Sequence, residues 1–587
     1  MGFPRPAAPV LPYDRRFFAP PGGVKRIGEG AIGGKAEGLR AAAEIIRRRR
    51  ADLRRAEPDV DVPALVVLGS DVYAAFLERN ALADLVAEEP PDDRIAHAFG
   101  RAALPAEIVG DLRSIAAEVR QPLAVRSSSA LEDARGQPFA GVYGTKMVPG
   151  NQKDPDARFR ALTDAVKFVY ASASFHEARA YRRATGHRAS EERMAVVVQE
   201  VVGRAHGGRF YPDVSGVARS WNFYPTGAAR PEDGVVLLAL GLGKTIVDGG
   251  LAWSFSPVHP RAVPPFNSVR DLLRLTQTGF WAVNVGPPPP YDPMAETEYL
   301  VQEGLAAAEE DGVLPLLAST YDPQSERLVP GTGRRGPRVL DFAPLLVHEE
   351  RPLVPALRRL LALGEEAGGG PVEIELALTL PPEGRGRLSL LQVRPVLVPG
   401  EAVEVAEGAL EAADTVVASR SALGNGRREL TDVVFVDPGT FEARLTPAIA
   451  GEVEKLNRPL VDSGRPYLLI GFGRWGTADP WLGIPARWDQ IAGARVVVEA
   501  AIPGMRPEPS QGSHFFHNLS SFDVLYFTVP EDAPRGIDWD WLARQETVAR
   551  TDHARHVRPE RPLVVEVDGR TRRGVVRRSP GAGRERT

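Results

Sequence analysis

Residues 123–129 read LAVRSSS, an apolar strand that ends in an arginine followed by three hydroxyl side chains. An acidic pair at 132–133 and the sequence FAG at 139–141 follow, and they predict a flexible loop that contains glycine. The guanidinium of Arg126 offers phosphate oxygens a planar fork of donors, and Ser127 adds a hydroxyl. The alternative is a serine-rich turn in which Arg126 makes a structural ion pair.

A second segment with phosphate chemistry lies upstream, where Gly33, Gly34 and Lys35 precede an apolar-periodic stretch at 39–46. Glycines let backbone N–H groups approach phosphate oxygens, and the start of a helix adds partial positive charge. Lys35 is one of few lysines in an arginine-rich chain, and its ammonium would reach a phosphate. A Gly-Gly-Lys sequence before a helix is also compatible with an ordinary turn.

A third segment places two acids on one strand. Glu373 and Glu375 alternate with Ile374, so both carboxylates face the same side of the strand. Gln392 and Arg394 likewise share a face of the next predicted strand. Two acids on an apolar strand need solvent, a partner or a metal, and Mg²⁺ with a nucleotide satisfies this need. An exposed amphipathic hairpin is the alternative.

Together these motifs resemble the ATP-binding domain shared by phosphoenolpyruvate synthase, pyruvate phosphate dikinase and rifampicin phosphotransferase. That family has Gly-Gly-Lys before a helix, then Val-Arg-Ser-Ser with an acidic Phe-Ala-Gly loop, then acidic-x-Glu and Gln-x-Arg-Pro. This chain has all of them in order, with MAVVVQ at 194–199 and VSGV at 214–217 between them. The resemblance covers residues 25–397 and implies an ATP-grasp fold.

The resemblance also implies roles for individual residues. Lys35, Arg126 and Arg394 would act on the phosphates as the catalytic set, and Glu373 with Glu375 would carry Mg²⁺. Residues 199–202 would form the hinge whose backbone meets adenine. The residues expected to contact the nucleotide are Gly33, Gly34, Lys35, Arg126, Ser127, Gln199, Glu200, Val202, Lys244, Glu375, Gln392 and Arg394.

The sequence departs from the family pattern at two of these positions. Glu373 stands where the family usually has Asp, which leaves its direct role less secure than that of Glu375. Lys244 follows a Gly-Leu-Gly sequence where the family usually has Glu. The loop superficially resembles a P-loop, but that motif needs a glycine at position 238, which is Leu238. A P-loop NTPase is therefore only an alternative fold.

The largest departure lies after residue 400. The dikinases carry phosphate on a histidine within Thr-Ser-His and deliver it in a barrel domain, and this sequence has neither the motif nor the length for a barrel. His514, within QGSHFFHN at 511–518, is the nearest local analogue and could accept a phosphoryl group, but a buried structural histidine beside aromatic residues is the favoured interpretation. The glycine-rich LIGFGRWG at 469–476 places Arg474 and Trp475 where an anionic or planar ligand would bind, unless the tryptophan only packs.

Composition narrows the class of protein. The 587 residues predict several domains, and a formal charge of −4 gives no global basic field for nucleic acid. Cysteine is absent, so disulfides, thiolate metal sites and cysteine nucleophiles are excluded. No apolar run approaches the roughly 20 residues that cross a bilayer, and the N-terminal residues lack the apolar stretch of a signal peptide. We expect a cytoplasmic protein with no membrane partner.

The expected fold class is α/β. A leader at 1–24 precedes an ATP-grasp domain at 25–397, a linker with a helix at 398–430, a smaller α/β domain at 431–569 and a disordered basic tail at 570–587. Helical stretches are expected at 71–88, 105–119 and 157–185, and an irregular segment at 257–295. Residues 372–380 and 387–393 predict an antiparallel pair.

These observations favour an ATP- and Mg²⁺-dependent phosphotransferase, similar to pyruvate, water dikinase, with an unidentified phosphate acceptor. An oligomer or a separate phosphocarrier partner remains open. The competing class is an ATP-binding regulatory module without transfer activity. The acid pair favours the enzyme, since a pure sensor needs no magnesium at a transferable phosphate, whereas the missing histidine favours the sensor.

Overall fold

The computed structural model describes most of the chain. The described residues are 10–17, 23–53, 57–129, 142–185, 192–222, 229–248, 250–262, 272–273, 276–396, 403–477, 479, 481–501, 524–531, 533, 535–569 and 571–579. The chain divides into two compact units. The first contains Met1–Arg182, His187–Val247 and Leu251–Val396, and the second contains Leu397–Thr587 with the short segments Arg183–Gly186 and Asp248–Gly250.

Nineteen described strands precede residue 397. They are β1 (Leu11–Pro12), β2 (Lys25–Ile27), β3 (Asp59–Asp61), β4 (Leu65–Leu68), β5 (Leu123–Ser129), β6 (Thr145–Val148), β7 (Met194–Glu200), β8 (Arg204–His206), β9 (Arg209–Tyr211), β10 (Val214–Arg219), β11 (Val235–Ala239), β12 (Trp253–Phe255), β13 (Gly279–Asn284), β14 (Leu300–Gly304), β15 (Ser319–Asp322), β16 (Arg327–Pro330), β17 (Arg338–Val339), β18 (Val372–Thr379) and β19 (Arg387–Pro395).

The described helices of the same part of the chain vary from one turn to five. They are α1 (Gly33–Arg48), α2 (Arg50–Leu53), α3 (Ser70–Arg79), α4 (Leu82–Ala87), α5 (Asp92–Arg101), α6 (Ala106–Glu118), α7 (Pro155–Ser172), α8 (His176–Thr185), α9 (Lys244–Val247), α10 (Leu305–Glu310), α11 (Ala343–Leu346) and α12 (Leu353–Gly368).

Two six-stranded sheets position the site in the first unit. The first sheet has the order β1-β2-β4-β7-β5-β6, and β7 pairs antiparallel with both β4 and β5. Its central strands are runs of buried β-branched residues, such as Val196–Val198, which favour the pleated conformation. Leu39 of α1 packs with Val67 and Val197 of this sheet, so α1 covers one of its faces.

The second sheet has the order β12-β11-β10-β18-β19-β3. One face belongs to the main apolar core, where Leu376 and Leu378 of β18 pack with Leu357 and Leu360 of α12. Side chains alternate along a strand, so Glu373 and Glu375 point to the opposite face. The expected antiparallel pairing of these two strands is confirmed, because Glu373 lies opposite Arg394 of β19. Two smaller sheets, β14-β13-β9-β8 and β16-β15-β17, complete the unit.

The second unit has its own sheets. Its described strands are β20 (Thr415–Ser419), β21 (Ser421–Leu423), β22 (Gly426–Leu430), β23 (Asp432–Val436), β24 (Tyr467–Phe472), β25 (Arg474–Trp475), β26 (Gly483–Ile484), β27 (Ala494–Ala500), β28 (Leu525–Val529), β29 (Glu546–Arg550), β30 (Ala554–Arg558), β31 (Leu563–Asp568) and β32 (Arg573–Arg578), and its helices are α13 (Thr446–Asp462) and α14 (Trp539–Ala543). The seven-stranded sheet has the order β21-β28-β27-β24-β23-β30-β29, with a parallel centre from β23 to β28. A four-stranded sheet, β20-β32-β31-β22, and the pair β25-β26 accompany it.

Several predicted elements are corrected. The stretch at 71–88 contains two helices, because Ala81 adopts a left-handed φ of 49° that a right-handed helix cannot include. The stretch at 157–185 likewise contains α7 and α8. The segment at 257–295 is not wholly irregular, since β13 lies within it with Phe280 fully buried.

Two further corrections concern the second unit. Three strands, β20 to β22, occupy the segment expected to be a linker and helix, because Val416 and Val417 are buried in the core of this unit. The predicted disordered tail is also wrong for Arg573–Arg578, which form β32. Val575 and Val576 are buried there, and the strand that contains them pairs with both β20 and β31 despite its arginine-rich sequence.

The expected α/β class, with a larger first unit and a smaller α/β second unit, is confirmed. Among the helices described, none is both long enough and apolar enough to span a membrane.

Candidate functional site

The start of α1 lies against the end of β5. Gly33 has a φ of 75°, and a Cβ built there would lie 1.6 Å from the carbonyl oxygen of Ser128. This position therefore accepts only glycine. The hydroxyl of Ser128 accepts from the N–H of Ala36 at 3.1 Å and donates to the carbonyl of Ile32 at 2.8 Å. Ser128 thus satisfies a donor of the first turn of α1, which sequence reasoning did not foresee.

Lys35 follows this junction and reaches the same strand end. Its ammonium lies 3.2 Å from the hydroxyl of Ser127, the residue after Arg126 in β5. The Gly-Gly-Lys and Arg-Ser-Ser-Ser motifs are 92 residues apart in sequence but adjacent in space. Sequence reasoning expected both to serve a phosphate, and the fold brings them together.

The loop before α1 is held by residues that sequence reasoning missed. The carboxylate of Asp71 accepts from the N–H groups of Glu29 and Gly30 at 2.7 and 2.8 Å, and the hydroxyl of Ser70 accepts from Ala31 at 3.1 Å. Burial favours the protonated acid, but these backbone donors outweigh it and lower the pKa of Asp71. The N–H groups at 29–31 are therefore already used within the protein. An acid just after the start of a helix, Asp71 in α3, was the available signal.

Arg126 joins the two sheets of the site. Its guanidinium donates to the carboxylate of Glu375 at 3.0 Å, to the amide oxygen of Gln392 at 2.9 Å and to the carbonyl of Leu391 at 2.9 Å. Leu391 offers its carbonyl because the pairing of β18 with β19 shifts register between Glu375 and Leu376, and such bulges re-aim backbone groups. The side chains of Arg126 and Glu375 are 15% and 16% exposed.

Glu373 is placed differently from Glu375. One carboxylate oxygen accepts from Nε of Arg219 at 2.5 Å, and the other accepts from Nε of Arg394 at 2.6 Å and also from its Nη2. The three residues lie in one row across β10, β18 and β19, and each is at most 6% exposed. Two arginines on one buried carboxylate are the arrangement of a structural ion triad, which argues against Glu373 as a metal ligand. Sequence reasoning did not identify Arg219.

The predicted adenine hinge lies at the end of β7. The N–H groups of Glu200 and Val201 donate to the carbonyls of Ala64 and Pro122, both at 2.9 Å, so these two donors serve the sheet. Val202 is buried. Gln199 pairs with Ala124, two residues from Arg126 on the same face of the sheet. Its Nε2 is buried and has no hydrogen-bond partner among the described residues.

Glu200 follows Gln199 in β7, so its side chain points to the opposite face of the sheet from those of Gln199 and Arg126. Its carboxylate is 3.8 Å from the guanidinium of Arg387, and burial raises its pKa although that arginine opposes the change. We therefore assign it no direct contact with phosphate.

Lys244 is the first residue of the short helix α9, and its ammonium lies over the ring of Trp281, 5.9 Å from the centroid.

The P-loop alternative is wrong. Leu238 is fully buried inside β11, and β11 pairs antiparallel with β10 and β12, so no phosphate-binding loop begins at position 238.

Three predicted features lie outside the described residues. These are the acidic pair at 132–133, the FAG sequence at 139–141 and His514 within 511–518.

A comparison with protein families agrees with this geometry. Residues 29–269 match the family model described as the AMP/ATP-binding domain of pyruvate phosphate dikinase. The match confirms the resemblance over this segment, which is less than half of the chain, and it supports an ATP-binding unit related to the dikinases. A comparison with curated proteins found no match.

The matched segment contains Lys35, Arg126, Gln199 and Lys244, but it ends well before β18 and β19. The contacts of Arg126 with Glu375 and Gln392 therefore extend the site beyond the matched residues.

Proposed function

On the premise that residues 29–269 form a dikinase-type AMP/ATP-binding domain, we propose that this chain is an ATP- and Mg²⁺-dependent phosphotransferase with an ATP-grasp site. The observation that carries the proposal is the contact of Arg126 with Glu375 and Gln392 across two sheets, one residue away from Ser127, whose hydroxyl Lys35 of α1 contacts. The acceptor is a small molecule or carrier that the site does not identify.

Positive charge from the chain itself holds the triphosphate. Lys35 supplies a compact ammonium, and Arg126 supplies a planar fork that suits two phosphate oxygens at once. The donors of Arg126 contact Glu375, Gln392 and Leu391 in the structure. We infer that Arg126 exchanges some of these acceptors for phosphate when ATP binds. Positioned cations of this kind stabilise the charge that spreads over the transferred phosphoryl group.

The residues present fit a magnesium ion at Glu375. Its carboxylate and the amide oxygen of Gln392 lie opposite each other on neighbouring strands, and both are oxygen ligands that Mg²⁺ accepts. Bound Mg²⁺ would supply neutralisation of the phosphate charge. Glu373 has a different task in this proposal, because it orients Arg219 and Arg394.

Gln199 and the following residues to Val202 would receive the adenine. The buried Nε2 of Gln199 is a donor for which the described residues provide no acceptor, and it lies on the face of the sheet that carries Arg126. Lys244 and Ser127 would contribute further contacts near the phosphates.

The experiment follows the phosphate. ATP labelled at the γ or the β position is incubated with the full chain and Mg²⁺, with and without pyruvate, and the label is traced. We expect label to leave ATP, and its position shows which phosphate moves. The Lys35→Ala/Arg126→Ala double variant is the matched inactive control. If the label stays in ATP although ATP binds, the chain is a regulatory module, which the absence of a Thr-Ser-His sequence would then explain.

A further inference from the structure

The glycine-rich segment of the second unit lies at the carboxyl edge of parallel strands, next to polar groups that the nucleotide site does not use. Strands β24, β27 and β28 run parallel, and Glu499 is the penultimate residue of β27. Glu499 lies opposite Gly471 on one side and Thr528 on the other, so the three share one face of the sheet. The carboxyl ends of parallel strands are where α/β sheets commonly bind ligands.

Hydrogen bonding at this edge is incomplete. Glu499 is 1% exposed, its Oε1 accepts from the backbone N–H of Trp475 at 2.8 Å, and the hydroxyl of Tyr526 is a second donor to the carboxylate. Its Oε2 and the hydroxyl of Thr528 are both buried, and neither has a hydrogen-bond partner among the described residues. Buried polar atoms are nearly always paired, so two unpaired atoms at register-matched positions indicate a missing ligand or water.

The walls of this edge are closely packed. Trp475 is fully buried, and a Cβ on Gly471 would come within 2.2 Å of its ring. The indole N–H also donates to the carbonyl of Val498 at 3.3 Å. Trp475 therefore packs, and it is not available to a planar ligand. Its backbone N–H instead fixes the carboxylate of Glu499.

Charge at the site is mixed. Arg474, next to Trp475, is 8% exposed, and its positive charge acts on Glu499. Burial raises the pKa of Glu499 to about 7, although hydrogen bonds from Tyr526 and Trp475 and the charge of Arg474 oppose the rise. The acid can therefore lose or gain a proton close to neutrality.

We propose that this edge binds a protonated oxyanion, of which hydrogen phosphate is the simplest member. Arg474 attracts the negative charge, Oε2 of Glu499 accepts a hydrogen bond from the anion's O–H group, and the Thr528 hydroxyl pairs with a second oxygen. The carboxylate of Glu499 favours a protonated anion over an unprotonated one. An anion without a proton would place its own acceptor oxygen against the acceptor Oε2, and the two would repel each other. Sulfate, which has the same shape but no proton at neutral pH, is excluded.

The proposal does not depend on the nucleotide site, since all of its residues belong to the second unit. The test is isothermal titration of the full chain at pH 7 with sodium phosphate and, separately, with sodium sulfate at equal ionic strength. We expect phosphate to bind at least about tenfold more tightly than sulfate, the factor that one charge-assisted hydrogen bond provides. The binding must persist in Lys35→Ala, which separates it from phosphate bound at the nucleotide site.

Two substitutions decide the role of Glu499. Glu499→Gln keeps the shape but offers an N–H that suits either anion, so the preference for phosphate should fall to about threefold or less. Thr528→Val, which is also nearly isosteric, should weaken phosphate binding but leave the preference for phosphate over sulfate unchanged. Glu429→Gln, at an exposed position of β22, is the matched control and should change neither.

No phosphate binding at millimolar concentration would overturn the proposal. Equal binding of the two anions by the wild type, or a preference that survives in Glu499→Gln, would do the same. A water molecule would then be the better explanation of the unpaired atoms.

Discussion

The guanidinium of Arg126 donates to the carboxylate of Glu375 across 3.0 Å, although 249 residues separate them in sequence. Arg126 lies in the first sheet and Glu375 in the second, so this bond connects β5 to β18. The pair is only partly buried, which leaves it accessible to a ligand that competes for either partner.

Removing the cations that face the phosphates should weaken ATP binding. Lys35→Ala and Arg126→Ala should each cost about 1–3 kcal/mol of binding free energy, the usual value for a hydrogen bond to a charged group. Lys244→Ala is the comparison, since Lys244 lies against Trp281, and it should cost less than Lys35→Ala. Calorimetric titration with ATP measures all three. The reverse ranking of the two lysines would move the phosphate site to α9.

Substitution of Glu373 should affect the unfolding free energy of the protein more than its binding of magnesium. Glu373→Gln leaves Arg219 and Arg394 buried with a neutral partner, and breaking a buried pair of this kind costs about 3–5 kcal/mol of unfolding free energy. Urea denaturation measures this loss.

Glu366→Gln is the control for this substitution, because Glu366 makes an exposed ion pair with Arg49 and should change stability by about 1 kcal/mol or less. Equal effects of the two substitutions would show that the buried triad contributes nothing.

Much of this site was predictable from the sequence, but the partners of its residues were not. Alternation along 372–395 predicted both strands and the shared face of Glu373 and Glu375, because side-chain direction in a strand is local. Arg219 escaped prediction because it meets Glu373 only through the pairing of β10 with β18, 154 residues apart. No local pattern encodes which strands become neighbours.

The same limit applies to Asp71, whose contacts with the loop at 29–30 join residues about 40 positions apart in sequence.

The prediction of disorder for the arginine-rich tail was wrong for a different reason. Its charges suggested disorder, whereas two buried valines between them were enough to form β32.

Gly33 should not tolerate a side chain. Gly33→Ala places a Cβ against the carbonyl of Ser128 in a left-handed conformation, and such strain costs of order 1–3 kcal/mol or more. Gly100→Ala is the matched control, since a Cβ there meets nothing within 4 Å in α5. It should stabilise the protein by about 0.5–1 kcal/mol. Thermal unfolding of both variants checks the two signs, and a stable Gly33→Ala would contradict the close approach of α1 and β5.

The unfolding free energy of the protein should depend on pH through the titration of Glu499. Its folded pKa of about 7 lies above the ordinary value of 4.5, so between these values the folded state holds a proton that the unfolded state has lost. As pH rises from about 4.5 to about 7, ionisation of this group therefore lowers the unfolding free energy by a total of about 3 kcal/mol. The measurement is urea denaturation of wild type and Glu499→Gln from pH 4 to pH 8.

The difference between the two stability curves isolates this carboxyl from the other acids. We expect the wild type to lose stability relative to Glu499→Gln as pH rises, with the loss complete above about pH 7. Parallel curves would mean that folding leaves the pKa of Glu499 unchanged.

The central claim is that Glu375 holds magnesium at bound ATP, and ATP titrations of wild type and Glu375→Gln, each with and without Mg²⁺, test it most directly. The amide keeps the shape and the contact with Arg126 but removes the charge that binds the metal. We predict that metal-free ATP binds both proteins about equally, or slightly better in the variant, and that Mg²⁺ strengthens binding only in the wild type. An equal magnesium dependence in both proteins would contradict the assignment.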